Sequence, residues 1–572
     1  ILNKVIPNFN YKEYIPFSSI MVSLKDKSKK DFVGSTISYK IENAKVVVDV
    51  KNTLSYGTYQ GEIDEGQTYV GVFSGIFIFI AILSVITTMT RVINKQRIQI
   101  GTLKALGFSN RKILFHYISY GFWISLIASI LGLILGYYVI GNMFINFEMS
   151  FFEIPSGAPY MDITNYYVAA LIVLLVSFIV YMTGRSILKE NPAETLRNKI
   201  PSIKGKILAI TKNRFFKKLN FAIKWNIRDI LRNKARTFMG FVGVVGCSML
   251  IVCALGMLDT VNNFIKLQFE DLYNFKYKLI IKEDIKTNEL QSLYDKYGTN
   301  TSKTILIETK EKNGTRKINN IFITDANDYV RFIDNKDKFK DKPKDDGVYV
   351  TYKLATSKGY KLGDEITWHI YGESKYYKSK IIGFNKDPQN QNISMSRKYL
   401  ESLNIKYKPD TIYTNIDLSK VSEIKNIKSI QNVKSLKEDM NGMLSMIKKM
   451  LVLIVSVAVL LGVIIIYNLG IISYTEKEYQ FATLKVLGFK DKQIKNIFIK
   501  QNNLIAIISI LFGLPLGFCL TDYLFQNAMR ENYDIGTFIT NRTYIIASIG
   551  TFLVSYIVSK FLAIRIKKID MV

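Results

Sequence analysis

Thr102-Leu103-Lys104-Ala105-Leu106-Gly107-Phe108 returns as Thr483-Leu484-Lys485-Val486-Leu487-Gly488-Phe489, and each copy lies between two long apolar stretches. The correspondence holds at a constant offset of 381 residues from Gln99/Gln480 to Gly136/Gly517. It therefore covers a helix end, a turn and most of the next apolar run without an insertion. A short element duplicated between membrane spans implies two related halves, each presenting the same device on the same side of a bilayer.

The residues of the repeat read as an elbow. A helix leaving the membrane runs through Arg97, Leu103 and Leu106 to Gly107, where glycine can take the left-handed conformation that ends a helix and the following Phe108 can pack back on the last turn. Gly488 and Phe489 repeat the arrangement. Lys104 and Lys485 fall in the last turn, where a cation complements the helix dipole. Asn110 and Asp491 are expected to cap the helix that rises again through Ile113 or Ile494. A bare polar turn does not need Lys and Phe, so the matched copies point to a docking surface made of Gln99, Lys104, Ala105, Leu106, Gly107, Phe108 and Asn110, and of Gln480, Lys485, Val486, Leu487, Gly488, Phe489 and Asp491. The rising span repeats as well: Gly132 and Gly136 correspond to Gly513 and Gly517, small residues four apart that let helices approach closely in lipid. Pro515 is expected to kink its helix.

Seven apolar runs are long enough to span a bilayer, near 69–90, 118–140, 166–184, 237–259, 451–472, 503–526 and 543–563. None has a charged residue near its middle, and the spans show no obvious polar cavity, which argues against an ion-coupled carrier. Between 185 and 236 Lys and Arg outnumber Asp and Glu fifteen to three, whereas 141–163 holds no Lys or Arg. The positive-inside rule then places 91–117, 185–236, 473–502 and the C-terminal tail in the cytoplasm, with 1–67, 141–165, 260–450 and 527–542 outside. Both elbows lie inside, so the repeat is parallel and a carrier built on inverted repeats is a poor fit.

The net charge of +30 is spread over both faces without a basic groove or stacking motif. It reads as loops beside anionic lipid rather than a nucleic-acid surface. The three cysteines, Cys247, Cys253 and Cys519, all fall within spans, so the outer segments must be stable without disulfides. His116 and His369 are the only histidines and cannot assemble a metal cluster or an acid/base pair. The scattered carboxylates read as solvated faces, so no catalytic, metal or cofactor site is expected in this chain.

The second half has four spans, with a large outer segment between the first and second of them; the first half shows three. This predicts a further span before Ile1 and eight spans natively. The organisation expected is 1–67 as the end of a first extracytoplasmic domain, 68–190 as a first membrane module, 191–236 as a basic cytoplasmic linker, 237–260 as the fourth span, 261–447 as a second extracytoplasmic domain and 448–572 as the second module. Within 261–447, strand-like and helical patterns alternate: Lys278–Ile281, a helix near Asn288–Lys296, and a hairpin from Thr304–Thr309 to Lys317–Thr324 turning at Asn313-Gly314. Val433–Met450 has helical character and runs directly into the fifth span, with Lys448 and Lys449 placed to snorkel. The fold class is an α-helical integral membrane protein of two parallel-repeat modules with α/β extracytoplasmic domains.

These residues resemble the FtsX-like or MacB-like permeases of the mechanotransmission (type VII) class of ABC transporters. The resemblance is carried by Arg97-Ile98-Gln99-Ile100-Gly101-Thr102-Leu103-Lys104-Ala105-Leu106-Gly107-Phe108 and its copy. Asn191-Pro192-Ala193-Glu194-Thr195-Leu196-Arg197 and Arg228-Asp229-Ile230-Leu231-Arg232-Asn233-Lys234-Ala235-Arg236 join them. It implies that each elbow rests on one of two copies of a cytoplasmic ABC ATPase on a separate polypeptide, which holds ATP and Mg, while this chain is non-catalytic. No Gly-rich phosphate loop followed by Lys and Ser or Thr is present to bind ATP in that manner. The family often has an acidic residue where Gln99 and Gln480 stand, so a neutral hydrogen bond would replace an ion pair there. The tail after Lys567 also stops where the first half continues through Glu194–Arg197, as though clipped.

The resemblance implies a permease in a bacterial plasma membrane whose partners are the ATPase, the lipid bilayer and an extracytoplasmic protein or peptide. Its task would be export or extraction of a peptide, antibiotic, lipid or lipoprotein. The alternative is a signalling or scaffold complex that activates a cell-wall hydrolase or a sensor kinase without transport.

Overall fold

A computed structural model describes residues 54–149, 158–188, 220–232, 234–310, 316–325, 328–373, 375–419, 421, 424–527 and 533–564, with isolated positions between 21 and 50. Residues 191–197, the turn at Asn313-Gly314, the tail from Lys567 and nearly all of 1–53 lie outside the described residues.

Apolar length dictates the first module. Helix α1 (Leu54–Lys95) breaks at Gln96 and resumes as α2 (Arg97–Ala105); α3 (Asn110–Leu135) rises again and continues through a wider π turn, Gly136–Gly141, into α4 (Asn142–Glu148). Helix α5 (Ile163–Leu188) returns. It packs on α1 and α3, around a core of Met89, Ile93, Ile100, Ile113, Tyr117 and Val180.

A short amphipathic helix, α6 (Phe221–Arg232), precedes α7 (Lys234–Lys266), which extends through a π turn, Leu267–Leu272, into the sheet domain. That domain starts with β1 (Tyr277–Ile281), α8 (Thr287–Tyr297), β2 (Thr301–Lys310) and β3 (Arg316–Thr324). After the small pair β4 (Phe332–Ile333) and β5 (Phe339–Lys340) come β6 (Val348–Thr351), α9 (Tyr352–Lys358), β7 (Glu365–Ile370) and β8 (Tyr376–Asn385). It ends with β9 (Ile393–Ser396), α10 (Arg397–Ser402), β10 (Thr411–Thr414) and β11 (Ile427–Asn432). The strand order is β11-β1-β10-β2-β3-β9-β6-β8-β7, and β7 also pairs with β2. This last pairing closes six strands into a barrel filled by Ile307, Ile321, Val350, Trp368 and Met395. Strands β11, β1 and β10 extend from it as an open sheet whose apolar side meets Leu293 and Tyr297 of α8. The expected hairpin is β2 against β3, with Thr309 opposite Lys317.

The second module begins where the sheet stops. Residue Asn432 ends β11 and caps α11 (Val433–Val486), its side chain accepting from Lys434 N–H at 2.8 Å. This single helix of 54 residues is about 81 Å long at 1.5 Å per residue. Helices α12 (Asp491–Asn527, with Pro515 inside it) and α13 (Asn541–Ala563) complete the module. Helix α7 lies at its centre, packed on α11, α12 and α13, through Cys247, Leu250, Ile251 and Val252. Among the described residues seven helices are long and apolar enough to cross a membrane: Tyr59–Ile93, Asn110–Asn146, Ile163–Arg185, Thr237–Leu272, Leu451–Thr475, Asp491–Asn527 and Asn541–Ala563. The protein is a multi-pass membrane protein with an α/β domain set between its spans, as the hydropathy pattern predicts.

The sheet domain is tied to the spans at the end opposite the elbows. Asp259, at the end of α7, accepts hydrogen bonds from Thr540 N–H at 2.9 Å and from the Thr540 and Thr543 hydroxyls at 2.8 and 2.6 Å, and so covers the start of α13. On the connection leading to α13, Asp534 N–H donates to Pro388 O at 2.9 Å, and Lys353 donates to Tyr533 O.

Candidate functional site

The two elbows have the same backbone hydrogen bonds. In the first, Leu106 N–H donates to Thr102 O, Gly107 N–H to Lys104 O and Phe108 N–H to Leu103 O, each at 3.0 Å; in the second, Leu487 donates to Thr483, Gly488 to Lys485 and Phe489 to Leu484, again at 3.0 Å. This is a Schellman ending, which requires a left-handed residue after the cap. Gly107 and Gly488 supply it at φ 87° and 88°, a conformation that side-chain-bearing residues adopt at a cost. The bonds hold the chain reversal rigidly and turn apolar side chains outward: Leu106 and Leu487 are 71% and 70% exposed, and Val486 67%. Ala105 and Phe108 are exposed with them, Phe489 is half-buried, and Gly107 and Gly488 have open space where a Cβ would stand.

The last-turn lysines do more than face a dipole. Lys104 donates to Leu188 O at 2.5 Å, at the end of α5. Lys485 pairs with Asp491 across the turn at 3.2 Å. The expected caps need correction. Asn110 is the first residue of α3, and Ser109 before it is the cap, its hydroxyl accepting from Lys112 N–H. In the second copy Asp491 is the first residue of α12 and pairs with Lys485, while the Gln493 side chain reaches back to accept from Lys490 N–H at 2.9 Å. The exposed Gln99 and the half-buried Gln480 differ in surroundings: Arg232 of α6 approaches Gln480 Oε1 at 3.5 Å.

The paired glycines of the rising spans are placed unequally. A Cβ on Gly513 would lie 1.7 Å from Ser248 Oγ, and one on Gly517 would lie 2.5 Å from Val252 Cβ and 3.0 Å from Met249 O. These two glycines allow α12 to lie against α7. A Cβ on Gly132 or Gly136 meets nothing within 4 Å, since among the described residues no helix of the first module holds the position of α7.

Sequence reasoning missed a buried polar cluster beside the second elbow. Asp229 of α6 pairs through Oδ2 with Lys477 Nζ of α11 at 2.8 Å and accepts from Gln501 Nε2 of α12 at 2.7 Å. Lys477 also donates to Gln501 Oε1. Arg232 holds the other Asp229 oxygen at 3.0 Å, and Asn226 donates to Ile497 O at 3.1 Å. Asp229, Lys477 and Gln501 are 3%, 1% and 3% exposed. The signal available in the sequence was Asn226 and Asp229 at helical spacing on a short amphipathic helix.

Next to the cluster a cavity of about 40 Å³ has a mixed lining, Val244, Ile466 and Ile505 beside Thr237, Ser473 and Gln501. It is far below the roughly 300 Å³ at which ligand pockets begin. In the sheet domain, Glu308 lies opposite His369 in the pairing of β2 with β7, and its carboxylate is 2.6 Å from Nε2. Among the described residues, no group of three or more His, Cys, Asp and Glu could hold a metal ion.

Comparison with known proteins agrees with the repeat. The profile of FtsX-like permease C-terminal domains matches twice, over residues 71–192 and 452–571. Each match contains one elbow and the spans on both sides of it. No curated protein matches the chain. The family supports an ABC-transporter permease role, is typically non-catalytic and implies an ABC ATPase as a partner. The chain carries two FtsX-like permease C-terminal domains, one in each half.

Proposed function

We propose that this chain is the permease subunit of an ABC transporter in a bacterial plasma membrane, and that it couples ATP hydrolysis by two copies of a separate cytoplasmic ATPase to movement of its extracytoplasmic domains. ATP and Mg are held by the partner. The observation that carries the reading is α11: one uninterrupted helix joins the last strand of the sheet domain to the second elbow. A displacement imposed at Val486–Phe489 is transmitted to β11 with no loop to absorb it. The exposed apolar tips, held by Schellman hydrogen bonds, suit a groove on the ATPase surface, and the basic residues around them suit an acidic rim.

The work is done beyond the spans, on a peptide, antibiotic, lipid or lipoprotein. The test is reconstitution of the chain with its ATPase in liposomes, comparing wild type with Gly107→Pro/Gly488→Pro. Proline locks φ near −65° and lacks the N–H that each glycine donates. The double variant is expected to insert normally and to lose ATP-driven activity, and full activity would refute the elbow reading. Hydrolysis stimulated by a candidate substrate, with movement of that substrate, supports transport; ATP-dependent recruitment of a cell-wall hydrolase or sensor kinase without movement supports the signalling alternative.

A further inference from the structure

The buried cluster at Asp229 is an expensive construction for a helix that precedes a span. A lysine and an aspartate removed from water are held stable only by close pairing and further hydrogen bonds, and here both are present: the 2.8 Å pair, Gln501 bridging both partners, and Arg232 on the other carboxylate oxygen. Three elements meet in it. Asp229 comes from α6, Lys477 from the last turns of α11 before the elbow, and Gln501 from α12 just after it. The α6 helix is fastened at a second level by Asn226 on Ile497 O and at a third by Phe221, whose ring stacks on Phe489 of the elbow at 5.7 Å between centroids.

The first half is built differently at the same level. Gln96 stands at the offset of Lys477, and its side chain accepts from Tyr117 OH at 2.6 Å. The descending helix breaks there, between Lys95 and Arg97, whereas α11 passes Lys477 without a break. The charged fastener therefore belongs to the half whose descending helix is continuous with the sheet domain.

We propose that the Asp229–Lys477–Gln501 cluster fastens α6 to the second elbow, so that α6, the end of α11 and the start of α12 move as one lever and the segment ahead of α7 is carried along with it. The three side chains are positioning residues for transmission. The inference rests on the reading of the elbows as ATPase-driven levers and adds a second output: motion passes to α7, and through Asp259 to the start of α13, as well as along α11.

The test uses the full permease with its ATPase in lipid nanodiscs and an N226C/I497C pair, positions joined by the 3.1 Å hydrogen bond between α6 and α12. Closing this pair by oxidation should leave ATP-driven coupling within about twofold of the same protein reduced, because a single lever has no internal motion to block. A tenfold or greater fall on oxidation would overturn the proposal. In D229N/K477M the coupling should drop at least tenfold while ATPase binding changes less than threefold, and closing the N226C/I497C pair in that background should restore coupling. Undiminished coupling in D229N/K477M, or no restoration by the closed pair in a variant that inserts and binds the ATPase, would overturn it. ATPase binding by wild type is measured alongside: its absence would sink the elbow reading, and leaves the one-lever claim to be decided by a distance measurement between labels at Ile223 and Lys492, which must be narrow and unchanged by the closed pair.

Discussion

Gly136 and Gly517 occupy the same position in the two halves, and the structure predicts opposite consequences for the same substitution. In Gly517→Ala the new methyl would lie 2.5 Å from Val252 Cβ, 2.7 Å from Val252 Cγ1 and 3.0 Å from Met249 O. Val252 is β-branched and fully buried in the middle of α7, so neither it nor the carbonyl can yield without separating α7 from α12. Overpacking of this kind costs about 1–3 kcal/mol, and the better helix propensity of Ala returns up to ~1 kcal/mol, for a net loss of roughly 1–2 kcal/mol. In Gly136→Ala the methyl meets nothing within 4 Å, at φ −58° and ψ −45° that Ala adopts freely. Only the propensity gain remains, about 0.5–1 kcal/mol of stabilisation. Equilibrium unfolding in mixed detergent micelles, followed by the fluorescence of Trp123, Trp225 and Trp368, would measure both. Equal destabilisation by the two variants, or a neutral Gly517→Ala, would refute the packing argument.

Three further outcomes follow from the same geometry. Lys477→Met alone leaves the buried Asp229 carboxylate with Arg232 and Gln501 but without its closest cation and should lower stability by up to about 3 kcal/mol, measured by the same unfolding; D229N/K477M should recover a large part of it. Gly488→Ala, forced to φ near +88°, should cost roughly 1 kcal/mol, seen as faster proteolysis at the elbow with the spans still inserted. Burial lifts the Asp387 carboxyl to about 6, with Asp534 nearby adding to the effect, and burial raises Asp534 too. A folded-state pKa above the unfolded value means that the native protein binds the extra proton. The contact between the sheet domain and 533–540 should therefore tighten as pH falls from 7 to 5 and weaken as pH rises through 6, by about 1–2 kcal/mol. Amide exchange of this segment between pH 5 and 7 would record it, and Asp387→Asn should flatten the dependence.

Much of the architecture could be read from local pattern, because hydropathy and glycine placement act locally. The seven spans follow from apolar length, and the elbows from two glycines whose left-handed φ nothing else in the repeat explains. Adjacent residues of similar chemistry were harder to separate: Ser109 and Asn110 are both good caps, and the structure chose the one whose hydroxyl meets Lys112 N–H. Long-range pairing was out of reach. The contact of β7 with β2 that closes the barrel, and with it Glu308 on His369, joins strands some sixty residues apart with no register signal in either. Asp229, Lys477 and Gln501 span 272 residues, and each alone looks like an ordinary polar residue near a membrane surface. Their meaning lies in being brought together.

The most direct test of the central claim is site-specific photo-cross-linking from Leu106 and Leu487 in native membranes. The account predicts that both positions, and neither Phe339 nor Leu362 on the sheet domain, form an adduct with the ATPase. An adduct from neither elbow, or labelling of either elbow by a reagent confined to the outside of the cell, would contradict it.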